Sequence, residues 1–296
     1  MAIEKQLWID KIMEGFIPDT SFLSRSVDMS AFVDHNKINL AEAGVDPKVL
    51  IDNTTFPVPV AQRTDTPLEL PLHTFDTENT VVRNIEQMET AYDKLASVVR
   101  SHANALTRKT SAYAAYNWAP TENGDLTPVI ETTGAVNAEG LKAVSFEDFL
   151  RMRAKFRSFD IDPASVVVVL NPAHEADLMA EDMKLYREVL AGGNLFGMAL
   201  FSYSNLPMFD TTTKKKKAYG AAYDAAKDSM CSLIYCDTEV MRAVGTTEVF
   251  AKYKDPEQRG DVLGYQQRFT ALQIRGKYVG AIYSGKPASQ SSGETE

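Results

Sequence analysis

Two unlike patterns of apolar and polar residues adjoin in the first third of the chain. Residues 53–80 alternate Thr, Val and Leu with polar side chains, carry Pro57, Pro59, Pro67 and Pro71, and contain no glycine. This predicts an extended loop, because proline fixes φ, removes a donor and drives the preceding residue out of the helical region. Residues 80–109 contain neither Gly nor Pro, and their apolar positions are Val81, Val82, Ile85, Met88, Tyr92, Leu95, Val98, Val99 and Leu106. Steps of three, four and seven put these on one stripe of a helix. Asp76 or Thr77 reads as its cap, Glu78 and Glu86 lie near the positive end, and Arg108 and Lys109 near the negative end. At 1.5 Å per residue the pattern predicts a rod about 45 Å long, against about 11–12 residues for an average helix. An extended loop feeding such a rod suits a part that reaches across neighbouring molecules, and fits a small enzyme poorly.

The flanking text is shorter-ranged. In residues 1–52, Leu7, Trp8, Ile12 and Phe16 define one face of a short helix, while Phe22, Leu23, Phe32, Val33, Ile38 and Leu40 are scattered among polar residues. That is too little periodic apolar content to fold alone, so the segment is expected to lie on its own body or on a neighbour. Residues 111–118 alternate with aromatics and read as a strand. Residues 119–140, with Pro120, Asn123-Gly124, Pro128 and Gly134, read as loop. Ser145 followed by Asp148 resembles a capping box with a shorter acid, ahead of a helical face of Phe146, Phe149, Leu150, Met152 and Phe156. The run Val166–Leu170 is apolar throughout, as in a strand buried on both faces. Asn171-Pro172 opens a helix through Leu178, and a second helix covers 181–190 and stops at Gly192-Gly193. Further strands are expected at 198–203, 232–235, 240–244 and 249–253, with a short helix at 219–226 and a charged turn at 255–261. Residues 265–275 and 278–283 close the chain as strands returning to the sheet begun near Tyr113. Residues 284–296 read as a disordered tail.

Composition narrows the class. A chain of 296 residues with 44% hydrophobic content buries about 75% of its unfolded surface, as one large domain or two. A net charge of −9 argues against general nucleic-acid affinity. Cys231 and Cys236 do not suggest a bridge, and the reduced state is the default. No apolar stretch follows the charged start as in a signal peptide, and no run approaches the roughly 18 apolar residues of a membrane span.

The search for chemistry is negative. His35, His73, His102 and His174 stand in four unrelated contexts. His174-Glu175 opens like a zinc-protease motif, but Leu178 stands where the second His is needed, so a helix-surface His is expected. No G-x-S-x-G elbow occurs, and Gly192-Gly193 with Gly197 lacks the Gly-Lys-Ser/Thr of a phosphate loop. Lys214 to Lys217 reads as a solvated loop tip rather than a nucleic-acid patch. Arg259-Gly260-Asp261 spells an adhesion tripeptide that a polar turn explains equally well. Glu86, Glu89, Asp93 and Lys94 read as the wet face of the rod. The expectation is no catalytic residue, no cofactor and no metal.

The order of these parts resembles the major capsid proteins of tailed bacteriophages, the Hong Kong 97-like fold. Local phrases carry the resemblance: Ser21-Phe22-Leu23 and Phe32-Val33 in the leader, Tyr92-Asp93-Lys94 with His102 after it, Leu195-Phe196-Gly197 followed by Asn205-Leu206-Pro207, and the closing residues 265–283. They are similar to capsid proteins of phages and prophages of Bacteroidetes hosts. The resemblance implies an α+β fold with an N-terminal arm (1–52), an extended E-loop (53–80), a spine helix with the first part of a P-domain (81–143), an A-domain (144–236), a return to the P-domain (237–284) and a tail (285–296). It implies a non-enzymatic subunit of an icosahedral shell, partnered by itself in hexamers and pentamers, by separate scaffold, portal and decoration proteins, and by DNA enclosed without specific binding, with no membrane. Its place is then the virion capsid, and the host cytoplasm during assembly. Intersubunit contacts are expected at Arg63, Asp65 and Glu69 in the loop and at Asp255, Glu257, Arg259 and Asp261 in the charged turn. Two departures matter. Only residues 1–52 precede the loop, so the scaffold some members carry at the N-terminus is expected elsewhere. No lysine lies between Lys48 and Lys94, so the Lys–Asn isopeptide weld of some members does not carry over. The rival readings are an encapsulin nanocompartment and a soluble two-lobed α+β enzyme.

Overall fold

The computed structural model describes residues 22–34, 37–42, 54, 57, 66–83 and 94–287. Its strands run in chain order as β1 (Val27–Asp28), β2 (Val33–Asp34), β3 (Lys37–Glu42), β4 (Thr66–Pro71), β5 (His73–Asp76), β6 (Thr80–Arg83), β7 (Val129–Glu131), β8 (Val166–Leu170), β9 (Asn194–Leu195), β10 (Met198–Ser202), β11 (Met208–Asp210), β12 (Lys215–Lys216), β13 (Asp228–Cys236), β14 (Val240–Asp255), β15 (Gly260–Gln273) and β16 (Val279–Tyr283). The helices are α1 (Lys94–Trp118), α2 (Phe146–Ser158), α3 (Pro172–Glu181) and α4 (Met183–Gly192).

The rod departs from expectation at both ends. Thr80–Arg83 is a strand, paired antiparallel with β15 through Thr80↔Leu263 and Val82↔Asp261. Thr-Val-Val is β-branched throughout, and a ready sheet edge outweighs a helical stripe that its spacing also fits. Residues 84–93, with Ile85, Met88, Glu86, Glu89 and Asp93, lie outside the described residues. At the other end α1 continues through 111–118, where a strand was expected, to give 25 residues. Ala112, Ala114 and Ala115 favour helix, and Tyr113 and Tyr116 stand one turn apart on one face. No sheet therefore begins near Tyr113.

The described strands form three sheets. An eight-stranded sheet has the order β12-β11-β13-β8-β10-β9, with β16 on β13 and β7 on β16. The closing strand β16 therefore joins this sheet, through Leu233↔Ala281 and Ile282↔Ile130. One face, with Val166, Val168, Leu170, Ile234 and Ile282, packs under α2, α3 and α4; the other, with Val167, Val169, Leu233, Tyr235 and Tyr283, packs with Trp118 and Phe22. This two-sided burial is why β8 reads as an unbroken apolar run, and all five of its residues are buried. α2 and α3 start where the sequence placed them, whereas α3 runs on to Glu181 and α4 starts at Met183 rather than at 181. Ser145 and Asp148 form a reciprocal capping box, Asn171 caps α3 with Pro172 behind it, and Asp182 caps α4. Gly193, at φ 62°, ends α4 in the left-handed region.

The second sheet has the order β1-β14-β15-β5, with β6 also on β15. The third, β2-β3-β4, joins the leader to the loop. Its fully buried Ile38, with Val33, Leu70 and Leu72, packs against Met241 and Ala243 of β14. The described leader residues, 22–34 and 37–42, thus lie on their own chain. Phe22 meets the Trp118 ring edge-on at 5.8 Å, the Tyr235 hydroxyl donates to the Phe22 carbonyl at 2.9 Å, and Arg25 pairs with Asp237 at 3.0 Å. Residues 219–226, expected to be helical, are irregular. Ser284, assigned to the tail, is buried, and the Gly285 amide donates to Thr132 Oγ1 at 3.0 Å.

Candidate assembly surface

The longest feature is the β14–β15 ladder, strands of 16 and 14 residues paired from Val240↔Gln273 to Asp255↔Gly260. α1 lies across one face, where Val99 and Leu106 meet Val249 and Tyr265. The His102 ring packs 5.0 Å from the Tyr265 ring, and burial lowers the imidazole pKa. The other face turns outward beyond the third sheet, and Phe250 on it is 53% exposed. Gly264 opposite Phe250 is required by a close approach, since a Cβ there would collide with Asn79 Oδ1.

The tip gathers four of the expected contact residues. Asp255 is 5% exposed and folds the turn: its Oδ1 accepts the Glu257 amide at 3.0 Å and its Oδ2 pairs with Lys252 at 3.0 Å. The Lys252 ammonium and that amide hold the Asp255 carboxyl below the usual range. Asp261 Oδ1 accepts the Lys254 amide at 2.8 Å. Glu257 and Arg259 are exposed, the latter at φ 49°. The adhesion-like tripeptide is thus the descending side of a β-turn. Glu69 belongs to β4 in the other sheet, in register with Asn39. Arg63 and Asp65 lie outside the described residues.

Below the ladder, α1 ends in a joint that sequence reading missed. Gln273 Nε2 lies 3.1, 3.1 and 3.2 Å from the carbonyls of Asn117, Trp118 and Ala119. Lys216 Nζ donates to Tyr116 O at 2.8 Å and Ala119 O at 2.6 Å, 4.3 Å from the Tyr116 ring centroid. These are the orphan carbonyls of a helix C-terminus, where a cation is favoured. Burial lowers the Lys216 pKa to about 8. Lys215 pairs with Glu122 at 2.6 Å and Lys217 with Asp228 at 2.5 Å. Within the lysine run, Lys216 therefore clasps the eight-stranded sheet to the end of α1, while Lys215 pairs with the following loop and Lys217 within the sheet. No local signal could have found this joint, since the carbonyls that Lys216 holds lie 100 and 97 positions away along the chain.

Two clefts flank α1. One of about 460 Å³ lies between α1 and β5–β6, lined by Phe75, Thr77, Glu78, Val98, His102 and Leu106. One of about 340 Å³ is lined by Tyr116, Leu206, Pro207, Lys217 and Tyr219. Neither contains the serine–histidine cluster around His174. That ring is fully buried, with Nδ1 2.7 Å from Ser232 Oγ and Nε2 2.8 Å from Ser284 Oγ. It is thus neither a helix-surface residue nor free to bind metal. Burial lowers its pKa to about 4, the carboxylates of Asp177 and Asp148 opposing the shift. Among the described residues no group of three or more His, Cys, Asp or Glu is placed to hold a metal, and no helix is long and apolar enough to cross a membrane. Cys231 and Cys236 are free and buried.

No family model and no curated protein matches the chain. Solved structures do. The capsid of Ralstonia phage GP4 superimposes with a TM-score of 0.65 at 11% identity, covering 93% of this chain and 92% of that one. The capsid of a native GTA particle gives 0.64 at 11% identity, covering 91% of each chain. A virus-like particle from Pyrococcus furiosus gives 0.57 at 12% identity, covering 94% of this chain and 99% of that one. The chain therefore has the capsid-subunit fold, mixed helix and sheet, over nearly its whole length.

Proposed function

We propose that this chain is a structural protein, the major capsid subunit of a tailed phage, and that its copies close into an icosahedral shell around DNA. The extent of the likeness carries the reading. It spans 93% of this chain and 92% of the GP4 capsid chain, so the likeness is to the whole fold rather than to one common motif. In this reading the lobe on the eight-stranded sheet is the A-domain, and α1 with the β14–β15 ladder is the P-domain. Hexamers and pentamers form from copies of this chain. Scaffold, portal and decoration proteins are its further partners, assembly takes place in the host cytoplasm, and no step is catalytic. Arg63, Asp65 and Glu69 of the loop and Glu257, Arg259 and Asp261 of the tip contact neighbouring subunits, Asp255 serving to fold that tip. A net charge of −9 suits a wall that encloses DNA without gripping it.

The likeness to the Pyrococcus furiosus virus-like particle favours a second reading, a compartment shell around protein cargo. Light scattering and negative-stain electron microscopy over a concentration series, with and without a scaffold, test both readings. Shells, tubes or capsomers support them, and nuclease-protected DNA or protein cargo in shells from the native source separates them. A monomer at every concentration and with every scaffold contradicts both.

A further inference from the structure

Among the described residues, strand β14 is paired along the whole of one edge and only near its start along the other. Its inner edge runs with β15 over the whole ladder, while its outer edge meets β1 at Met241 and Arg242 alone. The Val244 amide is still covered, by Ser30 Oγ at 2.9 Å. Beyond it, among the described residues, no strand lies against residues 246–252. An open edge of this length is a template for strand addition.

The side chains on that edge say which strand fits. Val249 points into the α1 core, so Glu248, Phe250 and Lys252 stand together on the outer face; Glu248 is exposed, Phe250 is 53% exposed and the Lys252 side chain 63%. Placed antiparallel to itself about Phe250, the segment pairs Phe250 with Phe250, Glu248 with Lys252, and Lys252 with Glu248. The charges are complementary in that register and no other self-pairing of the three residues achieves it. Opposite charges and aromatic pairs are the favourable cross-strand neighbours, and like charges the unfavourable ones. A two-fold contact is self-complementary in this sense.

We propose that residues 246–252 of two copies pair edge to edge across a two-fold axis, joining their β14–β15 ladders into one continuous sheet. The proposal rests on the shell reading and names one of its contacts. Lys252 remains available to both partners, since its bond to Asp255 leaves most of the side chain in solvent.

Phe250→Cys tests it, because the native Cys231 and Cys236 are buried and position 250 is exposed. Directly opposed antiparallel residues lie within disulfide range. Under mild oxidant, assembled Phe250→Cys protein is expected to give a reducible dimer, at a yield at least about tenfold above Glu257→Cys at the tip. Adding Glu248→Lys sets two lysines opposite each other twice over and should lower that yield about tenfold. Shells in which the introduced thiol stays free, or joins a different position, overturn the edge pairing and leave the shell reading standing. A yield indifferent to Glu248→Lys also overturns it. A dimer linked through position 250 of both copies, without shells, supports the pairing and counts against the shell reading. A monomer with no cross-link at any concentration overturns both.

Discussion

One part of the subunit's response to acid should come from a single buried ring. His174 stands on the buried face of α3 with both ring nitrogens taken by serine hydroxyls, and Ser232 Oγ also receives the Asn171 amide at 3.1 Å. A neutral imidazole satisfies this arrangement, donating from one nitrogen and accepting at the other. Protonation brings a charge into a site with no contact to solvent. The folded pKa is about 4 against 6.5 for a free histidine, so the unfolded chain binds the proton first. Stability from this site is complete above about pH 6.5, falls as pH drops through the window, and levels off below about 4. A shift of about 2.5 units at 1.36 kcal/mol each corresponds to about 3 kcal/mol, a large part of the roughly 5–15 kcal/mol margin of a typical domain. His174→Gln carries no such proton. It should be less stable than the wild type at pH 7.5 by about 1–3 kcal/mol, because one amide does not reproduce both hydroxyl contacts. By pH 4 that deficit should shrink by about 3 kcal/mol and vanish or reverse. Urea unfolding of unassembled subunits at both pH values reads the difference, and groups titrating in both proteins cancel. A deficit equal at pH 7.5 and pH 4 would refute the assignment of a buried neutral imidazole.

Other perturbations separate folding from assembly. Trp118→Ala empties the junction of Phe22, Tyr235 and α1 and frees the Met241 carbonyl from its 3.1 Å indole bond; a loss of about 3–5 kcal/mol is expected, seen as a lower urea midpoint or as insoluble protein. Lys216→Met uncaps α1 and should lower stability by about 1 kcal/mol, while Lys214→Met, at the exposed tip, should stay within about 0.5 kcal/mol in the same assay. Glu257→Ala with Arg259→Ala should leave unfolding unchanged within about 0.5 kcal/mol yet slow shell formation followed by light scattering. Unchanged assembly would remove the tip from the contact set.

What the sequence discloses and what it hides follow one physical divide. Elements whose burial is internal are legible: β8 from its apolar run, α2 from Ser145 and Asp148, the end of α4 from Gly192-Gly193. Their signals are caps and periods, which act within a few residues. Elements decided by a distant partner are not. Thr80–Arg83 satisfies a helical stripe and a strand equally, and β15, some 180 positions on, selects the strand. Residues 111–118 alternate like a strand, yet the far end of that segment is held helical by Lys216 and Gln273, which lie far along the chain. His174 shows the same limit, since the serines that bury it are 58 and 110 positions away. The charged turn was located, but Asp255 proves to fold the turn, and the open edge of β14 beside it is visible only once the ladder is drawn.

Whether copies of this chain close into a shell can be read from cryo-electron microscopy of assemblies purified from the native source, or from co-expression with a scaffold. Closed particles of icosahedral symmetry are expected, walled by this chain, with the eight-stranded lobes around the five- and six-fold positions and the β14–β15 tips against neighbouring subunits. Particles walled by another protein, or this chain found only as a monomer or a small asymmetric oligomer under conditions that yield particles, would contradict the shell reading.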